Sequence, residues 1–233
     1  MKISNVSEKI WSYLSSCGFN EFAVSGIMGN LYAESMLKPN NLQNTYEAKL
    51  GYTDDTYTTA VDNGTYTHFC DDRAGYGLAQ WTHPKRKKSL YQYAKSKRTS
   101  IGDIDMQLEF IVKEIKSSSS LYKSLNDVSS VSAASDIILC KYENPYNQSD
   151  SVKEKRCSLS QVYYDTYAKK REDMDSKESQ STYFTYIVKR GDSLWRIAKQ
   201  YLGSGNRYKE ILRENGGTGS LIHVGDALLI PTT

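Results

Sequence analysis

Apolar residues recur at helical spacing through the first two thirds of the chain, over Val6 to Leu14, Val24 to Leu31, Leu90 to Ala94, Met106 to Ile115, Ala134 to Leu139 and Val162 to Tyr167. The pattern predicts a mainly α-helical first domain. Between Leu50 and Trp81 it gives way to Thr, Tyr, Asp and Gly, with Asp62-Asn63-Gly64 as a turn signal. This predicts loops and a short hairpin, a segment suited to one wall of a cleft.

From Tyr167 to Thr182 the chain is polar except for Ala168 and Met174, which predicts a frayed helix end running into a linker. Beyond it, Tyr186-Ile187-Val188-Lys189 suits a strand, and Leu194, Ile197, Ala198 and Tyr201 follow i, i+3, i+4, i+7. A helix over Tyr208 to Leu212 and a strand over Ala227 to Ile230 complete a β-α-α-β unit. Asp192 or Ser193 is placed to cap its first helix, Gly203 to end it, and Pro231 to close the last strand. The expected division is 1–170 for the α+β first domain, 171–182 for the linker and 183–233 for the small module.

At 233 residues, 39% hydrophobic and 24% charged, the chain is long enough for one medium core and one small one. No stretch approaches the roughly 18 apolar residues of a membrane span. The first residues lack the apolar core of a secretory signal, so action outside the cell that makes it would need another route of release. Of the net charge of +3, residues 183–233 carry 7 basic against 4 acidic residues, which leaves 23 of each upstream. So small a positive balance argues against nucleic acid as partner and suits an anionic envelope. Cys17, Cys70, Cys140 and Cys157 are scattered without Cys-x-x-Cys or His spacing, so neither metal, cofactor nor disulfide framework is expected. A monomer is expected.

Val24, Ile27, Met28 and Leu31 share one helix stripe, and Glu34 continues it three residues beyond Leu31. Its helix must stop by Lys38, because Pro39 disfavours helix in the residue before it. Partial desolvation and the negative helix end would both raise the pKa of Glu34. A protonated carboxyl is what glycosidic cleavage needs, since the departing sugar oxygen must receive a proton. The competing reading is a solvated residue whose charge is relieved by a nearby Lys or Arg.

Ala33-Glu34-Ser35-Met36-Leu37-Lys38-Pro39-Asn40, followed by Gly75-Tyr76-Gly77-Leu78-Ala79-Gln80-Trp81-Thr82, resembles the lysozyme and lytic transglycosylase superfamily. Ile27 to Ser35, Asn41-Leu42-Gln43, the Gly-Tyr-Gly-Leu-Ala-Gln-Trp run and Lys141-Tyr142-Glu143-Asn144-Pro145 look like the phage tail-type lysozyme family over roughly 5–167. The resemblance implies Glu34 as catalytic acid, with Ser35, Tyr76, Gln80, Trp81 and Glu143 along the cleft. Tyr76 and Trp81 would stack on sugar faces and Gln80 would bond an acetamido group, while Gly75 and Gly77 would let backbone approach a ring. Asp72 is the first candidate for a second carboxylate, ahead of Asp71, Asp54, Asp55 and Glu47. A pair about 6.5–9.5 Å apart would invert the anomeric centre, and one about 5–5.5 Å apart would retain it.

Tyr186 to Ala198, with Val224-Gly225-Asp226-Ala227-Leu228-Leu229-Ile230-Pro231, is similar to a LysM domain. That resemblance implies a groove for N-acetylglucosamine-containing chains between Gly191, Asp192, Ser193 and Leu194 on one side and Leu221, Ile222 and His223 on the other. Val224 stands where proline is frequent, and Gly216-Gly217-Thr218-Gly219 loosens the groove's edge. The resulting expectation is a peptidoglycan muramidase of endolysin or phage-tail type. The alternatives are a lytic transglycosylase leaving 1,6-anhydro ends, a non-catalytic wall-binding protein, and a cysteine peptidase using His68 or His83.

Overall fold

The computed structural model describes residues 5–179, 183–216 and 221–232 and divides into two compact units, Met1–Lys170 and Arg171–Thr233. In the first, helices α1 (Asn5–Ser16), α2 (Glu21–Ser35), α3 (Asn44–Leu50), α4 (Asp54–Asp62), α5 (Pro84–Lys97), α6 (Ile104–Ser117), α7 (Ser119–Asn126) and α8 (Val131–Ile137) precede a π-helical turn over Ile138–Glu143. Helix α9 (Asp150–Ser179) follows and continues into the second unit.

Helix α2 lies at the centre. Asn20 starts it, accepting from the Ala23 amide at 2.8 Å while its own amide donates to the carbonyls of Asn126 and Val128. Its residues are buried all round from Ala23 to Leu31, as expected of a core helix rather than a surface one. Two glycines make this crowding possible. A Cβ on Gly26 would stand 2.7 Å from the Ala134 carbonyl carbon of α8, and one on Gly29 would stand 2.6 Å from Ser160 Cα of α9. The helix ends abruptly because Met36 and Leu37 are both left-handed, with φ of 56° and 62°.

The segment 50–81 is not the predicted hairpin. Thr53 and Thr56 form a reciprocal cap at the start of α4, and Tyr57, Ala60 and Val61 supply a buried i, i+3, i+4 stripe. Three buried positions in so short a helix are too few for the periodicity to stand out among Thr, Tyr and Asp. The Asn63-Gly64 turn is present, and the one isolated bridge among the described residues pairs Leu42 with Tyr76. The expected linker is likewise helical through Ser179, while 180–182 lie outside the described residues.

In the second unit β1 (Tyr183–Ile187) pairs antiparallel with β2 (Ala227–Pro231), with Tyr183 opposite Pro231 and Ile187 opposite Ala227. Between them lie α10 (Leu194–Tyr201), a 3₁₀ turn at Gly205–Arg207 and α11 (Tyr208–Glu214). Val188, Leu194, Ile197, Ala198, Leu202, Ile211, Leu228 and Ile230 form the core. The β-α-α-β order expected from the sequence is therefore the order found. Asn215 fastens α11 to the sheet, its side chain exchanging hydrogen bonds of 2.8 Å with the Leu229 amide and carbonyl.

Candidate active site

Glu34 occupies the last turn of α2, and its side chain is 21% exposed. Its carboxylate accepts from the Arg156 guanidinium of α9, and Arg156 also donates to the Asn30 carbonyl at 2.8 Å. Arg156 precedes Ser160 by one helical turn, so the close seat of Ser160 on Gly29 delivers the guanidinium to the end of α2. The sequence named no partner for Glu34, although relief by an arginine was the competing reading of its environment.

The Gly-Tyr-Gly-Leu-Ala-Gln-Trp segment is docked to the end of α2 through one residue, Leu78. Ser35 Oγ donates to the Leu78 carbonyl at 2.9 Å, and the Leu78 amide donates to Gln107 Oε1 at 2.9 Å. Gln107, fully buried, in turn donates to the carbonyls of Pro39 and Ile101. Ser35 is thus a buried strut rather than a sugar contact. Gly77, at φ 75°, is required because a Cβ would strike the Gln107 amide at 2.7 Å, so the close approach is to a side chain of the protein and not to a ring.

Two further expectations are corrected by burial. Trp81 and Tyr76 are wholly inaccessible, which leaves no face for a sugar. Trp81 Nε1 donates to Glu114 at 3.0 Å, and the Tyr76 hydroxyl meets Thr58 Oγ1 at 2.6 Å. The Gln80 amide is engaged by Asn41 Oδ1 at 2.9 Å and by the Asn41 and Gly77 carbonyls, so its donors hold the 41–43 strip against 75–81.

Asp72 is corrected on stronger grounds. Its side chain is 2% exposed and pairs with fully buried Lys87 at 2.5 Å, accepting also from Tyr57, Tyr66 and the Ala74 amide. A carboxylate so enclosed has no oxygen to offer a water on a sugar face. Lys87 is held by burial below its ordinary range, with the Asp72 contact acting against that shift. Of the other acids, Asp54 accepts from the Leu42 amide and Asp55 from Asn40.

Glu143, by contrast, closes the π-helical turn and joins the Glu34 environment. The residue is half-buried, yet its Oε1 is shielded from solvent and without a hydrogen-bond partner among the described residues. Burial first, and then the Glu34 charge, push its carboxyl up to about 8, against the pull of Arg86 and Arg156. Asn144, left-handed at φ 48°, ends the turn.

A second cluster braces this turn. Glu114 of α6 takes two bonds from Arg86, at 2.9 and 2.8 Å, one from Trp81 and one from the Tyr142 hydroxyl at 2.7 Å. Arg86 also lies 4.8 Å from the Tyr142 ring centre. Burial works against the Arg86 charge, but its bonds to Glu114 together with Tyr142 and the charges of Glu114 and Glu143 raise its pKa. Arg86 and Glu114 line an open cavity of about 480 Å³ between α5 and α6. Arg156, Arg86, Glu114 and Gln107 went unnoticed in the sequence because nothing local distinguishes them.

In the second unit, Ser193 rather than Asp192 caps α10. Asp192 instead accepts from the Lys189 amide at 2.7 Å and the Tyr186 hydroxyl at 2.8 Å, and those bonds hold it below the usual carboxylate range. Leu194 is buried in the core, so it is not free to receive an acetamido methyl as a surface side chain, while Ile222 packs against that core and stays partly exposed. Leu221, His223 and Gly191 are exposed. The two loops are joined where Val188 donates to the Asp226 carbonyl and accepts from the Gly225 amide, each at 2.9 Å. Of the loosened edge, Gly216 is described and Gly217, Thr218 and Gly219 lie outside the described residues.

No described helix is long and apolar enough to cross a membrane, and no described group of His, Cys, Asp and Glu could hold a metal ion. The family model for phage tail lysozyme matches residues 5–167, and that for the LysM domain matches residues 186–231. The chain therefore belongs to the phage tail lysozyme family, a cell-wall lytic enzyme that carries a LysM peptidoglycan-binding domain.

Proposed function

We propose that the first domain, residues 1–170, is a muramidase hydrolysing the β-1,4 bond between N-acetylmuramic acid and N-acetylglucosamine, with Glu34 as general acid. The observation that carries this reading is the placement of Glu34, a mostly buried carboxyl that still reaches solvent, on a helix end tied to the Leu78 carbonyl through its neighbour Ser35. Rigid support of a reacting group is what proton delivery to a glycosidic oxygen requires. The module 183–233 supplies residence on the wall, with Gly191, Asp192, Ser193, Leu221 and His223 around the glycan groove. Each later encounter of the catalytic domain with a strand is then effectively intramolecular.

The enclosure of Asp72 favours a second reading, a lytic transglycosylase in which the muramic acid 6-hydroxyl attacks and no second carboxylate is needed. Digestion of purified peptidoglycan by the wild type and Glu34→Gln, with reduced products read by mass spectrometry, separates the two. Reducible muramic acid ends from the wild type alone support the muramidase, and ends one water lighter support the transglycosylase. Undiminished cleavage by Glu34→Gln overturns the assignment of the acid.

A further inference from the structure

We infer that Tyr146 and Met36 form the apolar rim on which the glycan strand rests beside Glu34, with the Tyr146 ring against the carbon–hydrogen face of a pyranose and Met36 against an acetamido methyl. The inference rests on the reading of Glu34 as the acid of a glycosidase.

Hydrogen bonds and packing close a ring around the end of α2. Ser35 holds the Leu78 carbonyl, and Trp81 of the same segment donates to Glu114, which also takes the Tyr142 hydroxyl. The π-helical turn that carries Tyr142 packs on α2. The loop 144–149 leaves that turn, and α9 begins at Asp150 and reaches Glu34 through Arg156. The loop is therefore bounded at both ends by elements that touch α2.

Trp81 and Tyr76 are enclosed and offer no ring face. The exposed large apolar side chains of the described first unit are Val6, Met36, Tyr146 and Val162, of which Tyr146 is exposed completely and Met36 by 63%. Met36 follows Glu34 by two residues, and Tyr146 stands in the bounded loop. The two most exposed apolar side chains thus lie on the two segments that leave the candidate site.

Neither exposure is a matter of a slack chain. Gln148 Nε2 donates to Asn144 Oδ1 at 3.0 Å and to the Pro145 carbonyl at 3.1 Å, and the Ser149 amide donates to Asn147 Oδ1 at 3.1 Å. Tyr146 is the member of this pinned loop whose ring and hydroxyl have no partner among the described residues. Met36 is left-handed although it is not glycine, and its amide donates to the Tyr32 carbonyl at 2.8 Å while Leu37 turns inward and is buried. Backbone held in this region gathers at ligand-binding sites, where the surrounding structure sustains it.

The chemistry of the pair suits an N-acetylated sugar strand. An aromatic face carries negative charge density that attracts the C–H groups of a β-linked pyranose, and a phenol ring does so with few rotors to freeze. A thioether is polarizable and adapts to a small apolar group such as a methyl.

The test is the KM of the full chain for soluble glycan fragments. Tyr146→Ala should raise it about tenfold with kcat little changed, Met36→Ala should raise it by a smaller factor, and Tyr146→Phe should restore it. Thermal melting of Tyr146→Ala should match the wild type, because the ring packs on nothing. An unchanged KM in either alanine variant overturns the inference. A second measurement does not need cleavage: aromatic carbon NMR of full-length Glu34→Gln titrated with muramic acid and glucosamine oligosaccharides, the Tyr146 ring being assigned by its loss in Tyr146→Ala. The ring signals should shift on titration, and signals that stay in place overturn the inference. Full lysis by Glu34→Gln instead removes the reading of Glu34 as acid, on which the ring shift does not depend.

Discussion

Ser160 of α9 rests directly on Gly29 of α2, and it is this contact that brings Arg156 to Glu34. Two helices distant in sequence therefore meet at a residue with no side chain, and the charge pairing of the site is a by-product of their packing.

Gly29→Ala should accordingly act on the site without touching it. Its Cβ meets backbone, which cannot step aside as the end of a flexible side chain can. A stability loss of about 1–3 kcal/mol is expected, with a fall in lysis per folded molecule as Arg156 retreats from Glu34. Denaturant unfolding measured beside specific activity checks this, and stability lost with activity intact would show that Arg156 is dispensable.

Asp72→Ala should damage the fold rather than the chemistry. Removing one partner of a buried pair leaves the Lys87 ammonium uncompensated, which costs about 3–5 kcal/mol. The double substitution Asp72→Leu with Lys87→Met should recover much of that loss and lyse walls normally. A stable but inactive Asp72→Ala enzyme would instead return Asp72 to the chemistry.

Trp81→Phe separates a sugar platform from a brace. The ring remains but Glu114 loses a donor, so a loss of about 1–3 kcal/mol is expected with KM for soluble glycan fragments unchanged. A raised KM with unchanged stability is the result a stacking residue would give.

Stability should fall with rising pH across the titration of Glu143. Its folded pKa, about 8, lies above its ordinary value of 4.5. The stabilisation it confers is therefore fully present below about 4.5 and is lost as pH rises through about 8. Thermal melts from about pH 5 to about 8.5 should show a decline that is flatter in Glu143→Gln.

In the LysM module, burial divides the expected glycan contacts. Leu194→Ala opens the core and should destabilise the module by about 2–5 kcal/mol. Leu221→Ala, at an exposed site, should leave melting unchanged and reduce retention on purified walls. Equal retention by wild type and Leu221→Ala would exclude Leu221 from the groove.

The long amphipathic helices were legible because a core-facing stripe writes itself into local order, as in α1 and α6. Helices α4 and α7 are short, start from caps at Thr53 and Ser118 and bury only three and two residues, while α3 buries none and has no side-chain cap, so none of them writes a long apolar stripe into the sequence. At the candidate site, the place of Glu34 near the end of a buried helix was legible from the apolar run before it, while its proposed role rests on motif resemblance. The roles of its neighbours were not, since Trp81, Tyr76 and Asp72 differ from ligand-facing residues only in being enclosed, and enclosure is a property of the whole fold. Arg156 illustrates the limit most plainly, as its relation to Glu34 exists only through the contact of Ser160 with Gly29.

That contact also fixes when the site comes into being. Glu34 and Arg156 are separated by 122 positions, and the residue that draws them together lies on the last helix of the first unit. A chain growing from its N-terminus presents the carboxylate long before its cation has been made, and the intervening loop must close before the two meet. The pairing of Glu34 with Arg156 can therefore form only after α9 has been made, and a chain that ends before α9 lacks the cation altogether.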